Sequence, residues 1–291
     1  MAECFYEEIE IQIPNLCLAA KVWGHPSELP TLALHGWLDN AATFDHLIPF
    51  LPNLRIVALD LPGHGFSGHR SAGAFYHYID MVPDVIAAAD ALGWESFALL
   101  GHSMGAGIST LLAGTQPDRV SHLMLIEGLG PIVDKPEDSP RTLSQSIRQM
   151  RSFGQSKLPV YPNIQAAVAA RRTAGDLYDT SAETLVARGT KVVKDGIAWR
   201  SDPRLKVTSR LRLSEDQVIG FIDCIEAPTV LIRGQSGMLV GERSVDNRCE
   251  HVNDFHLEVI PGGHHLHLDA PELVGEAISK FLKKQGINKI D

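Results

Sequence analysis

Residues 99–107 read LLGHSMGAG, and within this stretch Gly101 to Gly105 match the pattern Gly-x-Ser-x-Gly. The apolar residues 97–100 before the pattern are typical of a buried strand, and the small and apolar residues 106–115 after it indicate a helix. A serine at such a strand-to-helix corner has a strained backbone and an exposed hydroxyl. The stretch therefore predicts that Ser103 is a nucleophile at the carboxyl edge of a sheet.

The same corner predicts where an oxyanion would be bound. The first amides of a helix lack intrahelical partners, so the N–H of Met104 is the expected first donor. The second donor is expected from the loop after the third strand, residues 35–38, which read HGWL. Gly36 permits an unusual backbone there, and we expect the backbone N–H of Trp37 to donate while its indole lines the pocket.

A serine hydroxyl needs a base within hydrogen-bond reach. Residues 260–271, IPGGHHLHLDAP, lie between the last predicted strand and the last predicted helix. His264 follows two glycines that let its loop place the ring over the strand ends, and it is the expected base. His265 and His267 are its neighbouring competitors.

Size and composition limit the class of protein. The 291 residues suit one α/β domain with an insertion, or two small domains, and the content of 44% hydrophobic and 21% charged residues is that of a soluble globular protein. The net charge of −9 without a basic run argues against nucleic acid or an anionic membrane as partner. No apolar run approaches the roughly 20 residues that span a bilayer. The oligomeric state stays open.

Cysteine usage and the amino terminus indicate the compartment. Four cysteines are scattered without metal-ligand spacing, which favours free thiols and predicts no metal site: Cys4, Cys17, Cys224 and Cys249. The first five residues, MAECF, lack the apolar region of a signal peptide. We therefore expect a cytoplasmic protein.

Apolar runs and helical patterns alternate along most of the chain. Eight strands are predicted, at residues 5–13, 16–23, 31–34, 55–59, 97–100, 122–126, 229–232 and 256–260. Helices are predicted at 43–51, 76–92 (with a kink at Pro83) and 272–284. This order indicates an α/β fold with a mostly parallel eight-stranded sheet and helices on both faces, formed by residues 1–132 and 227–291. Residues 133–226 show helical patches but no buried strand, and they predict an inserted helical cap.

Four motifs occur in a fixed order: HGWLDN at 35–40, DLPGHGFS at 60–67, GHSMG at 101–105 and GH at 263–264. Through them the chain resembles the α/β-hydrolases that carry a cap, and it is most similar to the serine-hydrolase-like proteins. Cofactor-free haloperoxidase-type esterases and haloalkane dehalogenases are wider relatives. The resemblance implies an α/β-hydrolase fold and hydrolysis without a cofactor. It also implies that the histidines at 64 and 102 are structural.

The acid that would orient His264 departs from the common pattern. In many relatives it ends a Gly-x-x-Asp run, but here residues 234–237 read GQSG and position 237 has no carboxylate. In relatives of the haloalkane dehalogenase type the acid can follow the preceding strand, where this chain has Glu127. A glutamate closing a buried strand needs a partner, and His264 would provide it. Glu127 is the expected acid, and the alternatives are Glu242, Asp246, Asp223 or no acid.

The leading hypothesis is a serine hydrolase of the carboxylesterase kind, which forms an acyl-enzyme with a small-molecule ester. An apolar wall is expected from cap residues Met150, Phe153, Tyr161 and Trp199. One alternative is hydrolysis of a carbon–carbon bond in a dienoate-type ketone, for which Arg171 and Arg172 are the candidate carboxylate ligands, although such pairs on helices usually face solvent. The other is a non-catalytic binding or receptor protein on a hydrolase scaffold.

Overall fold

A computed structural model describes residues 5–51, 53–154, 159–175 and 177–287; Cys4 lies outside them. Eleven strands are present in these ranges. In chain order they are β1 Glu7–Ile13, β2 Leu16–Trp23, β3 Leu29–Leu34, β4 Leu54–Leu59, β5 Phe97–His102, β6 Val120–Ile126, β7 Val160–Tyr161, β8 Thr190–Val193, β9 Gly196–Trp199, β10 Thr229–Gly234 and β11 Phe255–Ile260.

Eight of these strands form one sheet in the order β1-β2-β4-β3-β5-β6-β10-β11. β2 pairs antiparallel with β1 and β4, and the other neighbouring pairs are parallel. The prediction of a mostly parallel eight-stranded sheet is confirmed. The central strands are buried on both faces, which is why they read as nearly continuous apolar runs.

Nine α-helices cover this sheet or lie in the insertion: α1 Met81–Ala91, α2 Met104–Thr115, α3 Ser139–Ser152, α4 Ile164–Gly175, α5 Asp179–Gly189, α6 Glu215–Ile222, α7 Arg243–Glu250, α8 Leu266–Asp269 and α9 Pro271–Lys284, counted over the described ranges. The core has two apolar clusters. One contains residues of α1, α2 and α6, and the other contains residues of α9 and the segment 41–51. Over the described ranges, no helix combines the length and apolarity needed to cross a bilayer.

Two helix predictions are corrected by local backbone chemistry. Residues 43–51 form two 3₁₀ turns, Ala41–Phe44 and Ile48–Phe50, because Pro49 has no N–H for a continuous helix. Residues 78–80 are also a 3₁₀ turn before α1 begins. Pro83 does not interrupt α1, since it lies in the first turn, where an N–H would have no intrahelical partner.

The insertion between β6 and β10 is not purely helical. It contains a three-stranded antiparallel sheet in the order β7-β9-β8. These strands have only two to four residues and mostly accessible side chains, so they leave no apolar run in the sequence. Helix α6 packs on α2, with Val218 and Ile222 in the main core.

Candidate active site

Ser103 lies between the end of β5 and the start of α2, at the predicted strand-to-helix corner. Its φ of 51° and ψ of −111° are values that a non-glycine residue rarely adopts. Its backbone N–H donates to the carbonyl of Ile126 at the end of β6, at 2.9 Å. A side chain at Gly105 would overlap the backbone of Leu34, so α2 can approach β3 closely only with glycine at this position.

His264 brings its ring to Ser103 from the loop after β11. Its Nε2 is 3.0 Å from Ser103 Oγ, and its Nδ1 is 3.3 Å from Glu127 Oε2. The two competing histidines have other partners. His265 Nε2 lies 3.6 Å from Asp39, and His267 Nε2 lies 2.8 Å from the Thr43 hydroxyl. The structure therefore brings together the three side chains that the sequence singled out as nucleophile, base and acid.

Glu127 closes β6 in a conformation as unusual as that of Ser103, with φ 51°. Its buried carboxylate accepts two backbone N–H bonds. Gly234 N donates to Oε1 at 2.7 Å, and Met238 N donates to Oε2 at 2.8 Å. These donors hold the carboxylate beside His264 and compensate its desolvation.

Residue 237, which carries the acid in many relatives, is a glycine in this chain, and the position of Glu127 accounts for this difference. A Cβ atom at residue 237 would overlap both Glu127 oxygens. The Glu127 carboxylate thus occupies the space into which a residue-237 side chain would project. The alternative acids lie elsewhere: Asp246 pairs with Arg233, Asp223 pairs with His251, and Glu242 precedes α7 on the surface.

The loop 36–40 lies next to this corner; because it contains the expected second oxyanion donor, we call it the oxyanion loop. Leu38 has φ 62°, and its N–H donates to His64 Nε2 at 3.2 Å. The backbone N–H groups of Trp37 and Met104 bond no other group in the described part of the chain. Trp37 is 52% exposed, and its Nε1–H donates to the Leu205 carbonyl, so this ring contacts the insertion.

His35 and His64 form hydrogen bonds that join the motif at 35–40 to the motif at 60–67. His35 Nδ1–H donates to Gly36 O, and its Nε2 accepts the N–H of Leu61 at 3.0 Å, while His64 accepts from Leu38. Both rings must therefore be neutral. Burial lowers the pKa of His35 to about 4 and that of His64 to about 3. The structural role expected for His64 fits these contacts.

We expect the free energy of unfolding to decrease as the pH falls from 6.5 toward 4. In this window the unfolded chain binds protons at positions 35 and 64 that the native state excludes. Each such histidine contributes up to about 1.4 kcal/mol per pH unit. Urea unfolding at pH 7.5, 6 and 5 measures the slope. His64→Gln should give a shallower slope, and a pH-independent stability would contradict the assignment of neutral rings.

Four imidazoles cluster behind Ser103, with His102 at their centre. Its ring centroid lies 4.0–5.2 Å from those of His264, His265 and His267. Its Nε2–H donates to the His264 backbone carbonyl at 3.0 Å, so this ring supports the loop of the proposed base. Burial and the neighbouring histidines lower the pKa of His102 well below its usual value. Among the described residues no cluster of histidine, cysteine or carboxylate side chains is arranged to hold a metal ion.

Asp39 and Arg171 form a buried ion pair beside this cluster, which sequence reasoning missed. Arg171 Nη2–H donates to Asp39 Oδ1 at 2.5 Å, so the expectation that Arg171 faces solvent is wrong. Burial alone would raise the pKa of the Asp39 carboxyl, but His265 and Arg171 hold it well below its usual range. Arg172 does lie on the surface, where it pairs with Asp179.

The side chains expected to form an apolar wall make contacts of their own. Tyr161 and Trp199 pack edge to face within the small sheet, at 6.1 Å between ring centroids. Phe153 packs against Phe75 in the same manner. Met150 accepts a weak hydrogen bond from Ser146 one turn earlier in α3. None of these contacts reaches Ser103.

Comparison with known proteins places this geometry in a family. A family model for the alpha/beta hydrolase fold matches residues 32–271. The chain is 30% identical over 289 residues to a serine hydrolase-like protein of Danio rerio, covering 96% of this chain and 89% of that protein. It is 32% identical over 295 residues to one of Dictyostelium discoideum, covering 95% and 81% respectively. A crystal structure of a hypothetical protein from Pseudomonas aeruginosa PAO1 is 41% identical with a TM-score of 0.91, and the match covers 95% of this chain and 99% of that one. With a strained serine at the expected corner and these relatives along nearly its whole length, the chain belongs to the α/β-hydrolase family as a serine hydrolase-like protein.

Proposed function

We propose that this chain cleaves small-molecule carboxylic esters in the cytoplasm through a Ser103–His264–Glu127 triad. One observation carries the proposal: Ser103 Oγ lies 3.0 Å from His264 Nε2, at a strained strand-to-helix corner. This is hydrogen-bond distance between a nucleophile and its base. A serine nucleophile fits acyl transfer, in which an acyl-enzyme forms and is then hydrolysed.

In the first half-reaction, His264 Nε2 accepts the hydroxyl proton as Ser103 Oγ attacks the acyl carbon. Glu127 accepts the Nδ1–H bond, keeps the ring in the tautomer whose Nε2 can act as a base, and stabilises the imidazolium that forms. The amides of Met104 and Trp37 bind the developing oxyanion, each contributing about 3 kcal/mol. His264 then transfers its proton to the departing alcohol.

In the second half-reaction, His264 removes a proton from a water molecule that attacks the acyl-enzyme. The same two amides bind the second oxyanion, and collapse of this intermediate returns the proton to Ser103 Oγ. These steps use only side chains and amides of this chain, so the proposal includes no metal or organic cofactor. The proposed partner is the ester itself, and nucleic acid is not expected to bind the acidic surface.

Hydrolysis of a carbon–carbon bond in a dienoate-type ketone is less well supported. This reaction would need Arg171 and Arg172 to hold a substrate carboxylate. Arg171 is instead paired with the buried Asp39, and Arg172 is paired with Asp179. Neither guanidinium is therefore available without breaking an existing ion pair.

A fluorophosphonate probe tests whether the site is catalytically competent. We expect a single adduct on Ser103, identified by peptide mass spectrometry, and no adduct in Ser103→Ala. Wild-type protein that is folded but unlabelled would instead favour the non-catalytic binding protein. Rates measured over nitrophenyl esters of increasing acyl length would then report hydrolysis and the depth of the acyl pocket.

A further inference from the structure

The oxyanion loop is bound to the insertion by three of four consecutive side chains. Trp37 Nε1–H donates to Leu205 O at 3.1 Å, and Arg171 donates to Asp39. Asn40 Nδ2–H donates to Leu185 O at 2.9 Å. The partners belong to three separate elements: the 3₁₀ turn Pro203–Lys206, α4 and α5. The cap therefore contacts the loop at several independent points.

The central one of these contacts is a buried charge pair. The Asp39 side chain is 1% exposed and that of Arg171 is 14% exposed. The other Asp39 oxygen lies 3.6 Å from His265 Nε2 and 4.0 Å from His102 Nδ1, so this carboxylate joins α4 to the histidines beside Ser103. Removing the guanidinium would leave a buried carboxylate without its cation, which proteins rarely tolerate without local rearrangement.

The loop backbone is strained and depends on its surroundings. Leu38 adopts φ 62°, which a leucine rarely adopts, and on the core side His64 holds its N–H. Such a conformation persists only where neighbouring groups hold it. The neighbouring amide, that of Trp37, is the proposed second oxyanion donor, so relaxation at Leu38 would turn that donor away from its target.

We infer that Arg171, Asp39 and Asn40 are positioning residues for the oxyanion hole, and that the cap holds the catalytic loop in place instead of only covering the site. The inference rests on the proposed function, because the Trp37 amide is an oxyanion donor only if the chain is a serine hydrolase. It assigns no direct contact with substrate to Arg171. Misplacing an oxyanion donor by about 1 Å is enough for a rate loss of about 10²-fold.

The test compares Arg171→Met with Arg172→Met. The two positions are adjacent on α4, but Arg172 pairs with Asp179 on the surface and serves as the matched control. With p-nitrophenyl acetate, Arg171→Met should lower kcat about 10- to 100-fold with KM changed less than about threefold. Affinity for an alkyl trifluoromethyl ketone, whose adduct places an oxyanion in the hole, should fall by a similar factor. Affinity for the matching methyl ketone should not change.

Hydrogen–deuterium exchange of residues 36–44 provides a readout that does not depend on catalysis. We expect faster exchange there in Arg171→Met and wild-type exchange in Arg172→Met. Should Arg171→Met fail to fold, Arg171→Lys and Trp37→Phe serve instead, since the latter removes the bond to Leu205 and keeps an aromatic ring at residue 37. Unchanged exchange and ketone affinity in a labelled enzyme would overturn the inference. A folded wild type that the fluorophosphonate does not label would overturn the proposed function, and the role assigned to these residues with it.

Discussion

Replacing Glu127 by glutamine is expected to lower kcat for ester hydrolysis about 10³- to 10⁴-fold while the protein stays folded. Glutamine removes the negative charge that stabilises the His264 imidazolium, and an NH₂ group in the position of Oε2 cannot accept the Nδ1–H bond of His264. The ring then favours the tautomer with its proton on Nε2, which faces Ser103 and cannot act as a base. The amide NH₂ group also leaves one of the two backbone N–H donors without an acceptor, which lowers the free energy of unfolding by about 1–3 kcal/mol.

Turnover of p-nitrophenyl acetate and thermal unfolding of the same preparation measure both effects. Asp246→Asn is the matched control, because this carboxylate pairs with Arg233 on the surface and was an alternative acid. It should retain wild-type turnover. If Glu127→Gln kept more than about a tenth of wild-type kcat, the acid role would have to move to another carboxylate.

An aspartate at residue 237 should take over the acid role when residue 127 no longer carries a carboxylate. Gly237→Asp alone forces a second carboxylate into the space that Glu127 occupies, so we expect a loss of about 10²-fold or more from repulsion and displacement. In the double variant Glu127→Asn/Gly237→Asp the repulsion disappears, since asparagine is neutral. Asparagine also tolerates the positive φ of residue 127. This double variant should be about tenfold or more faster than Glu127→Asn.

The comparison needs Gly237→Ala as a further variant. Its methyl group produces the steric overlap with Glu127 without adding an acid. Gly237→Ala should therefore be impaired, and adding Glu127→Asn to it should bring no recovery. A folded Glu127→Asn/Gly237→Asp protein no faster than Glu127→Asn alone would show that residue 237 cannot place a carboxylate at His264.

The sheet and the serine corner were predictable because their signals are local. The strand that leads into Ser103 is buried on both faces and therefore reads as a continuous apolar run. The close approach of α2 to β3 requires glycine at residue 105. His264 was distinguishable from His265 and His267 by the two glycines before it. The errors in the segments 43–51 and 76–92 came from proline, whose effect depends on its place within a helix.

The small sheet of the insertion could not be predicted in the same way. Strands β7, β8 and β9 are short and accessible, so neither an apolar run nor an alternating pattern marks them. Arg171 and Arg172 are adjacent arginines on one predicted helix, and the helical pattern does not show which of them is buried. Only the position of α4 beside Asp39 gives one of them a buried partner and leaves the other on the surface.

By itself, the sequence determined the class of fold, the corner at Ser103 and the order of the motifs, since these depend on backbone sterics and apolar periodicity within about ten residues. Only the tertiary structure decided that the Glu127 carboxylate fills the space beside Gly237 and that Arg171 of the insertion bonds Asp39 in the loop 36–40. Those contacts join groups 107 positions apart at Gly234 and Glu127, and 132 apart at Arg171 and Asp39. Packing selects such partners, and no local pattern encodes them.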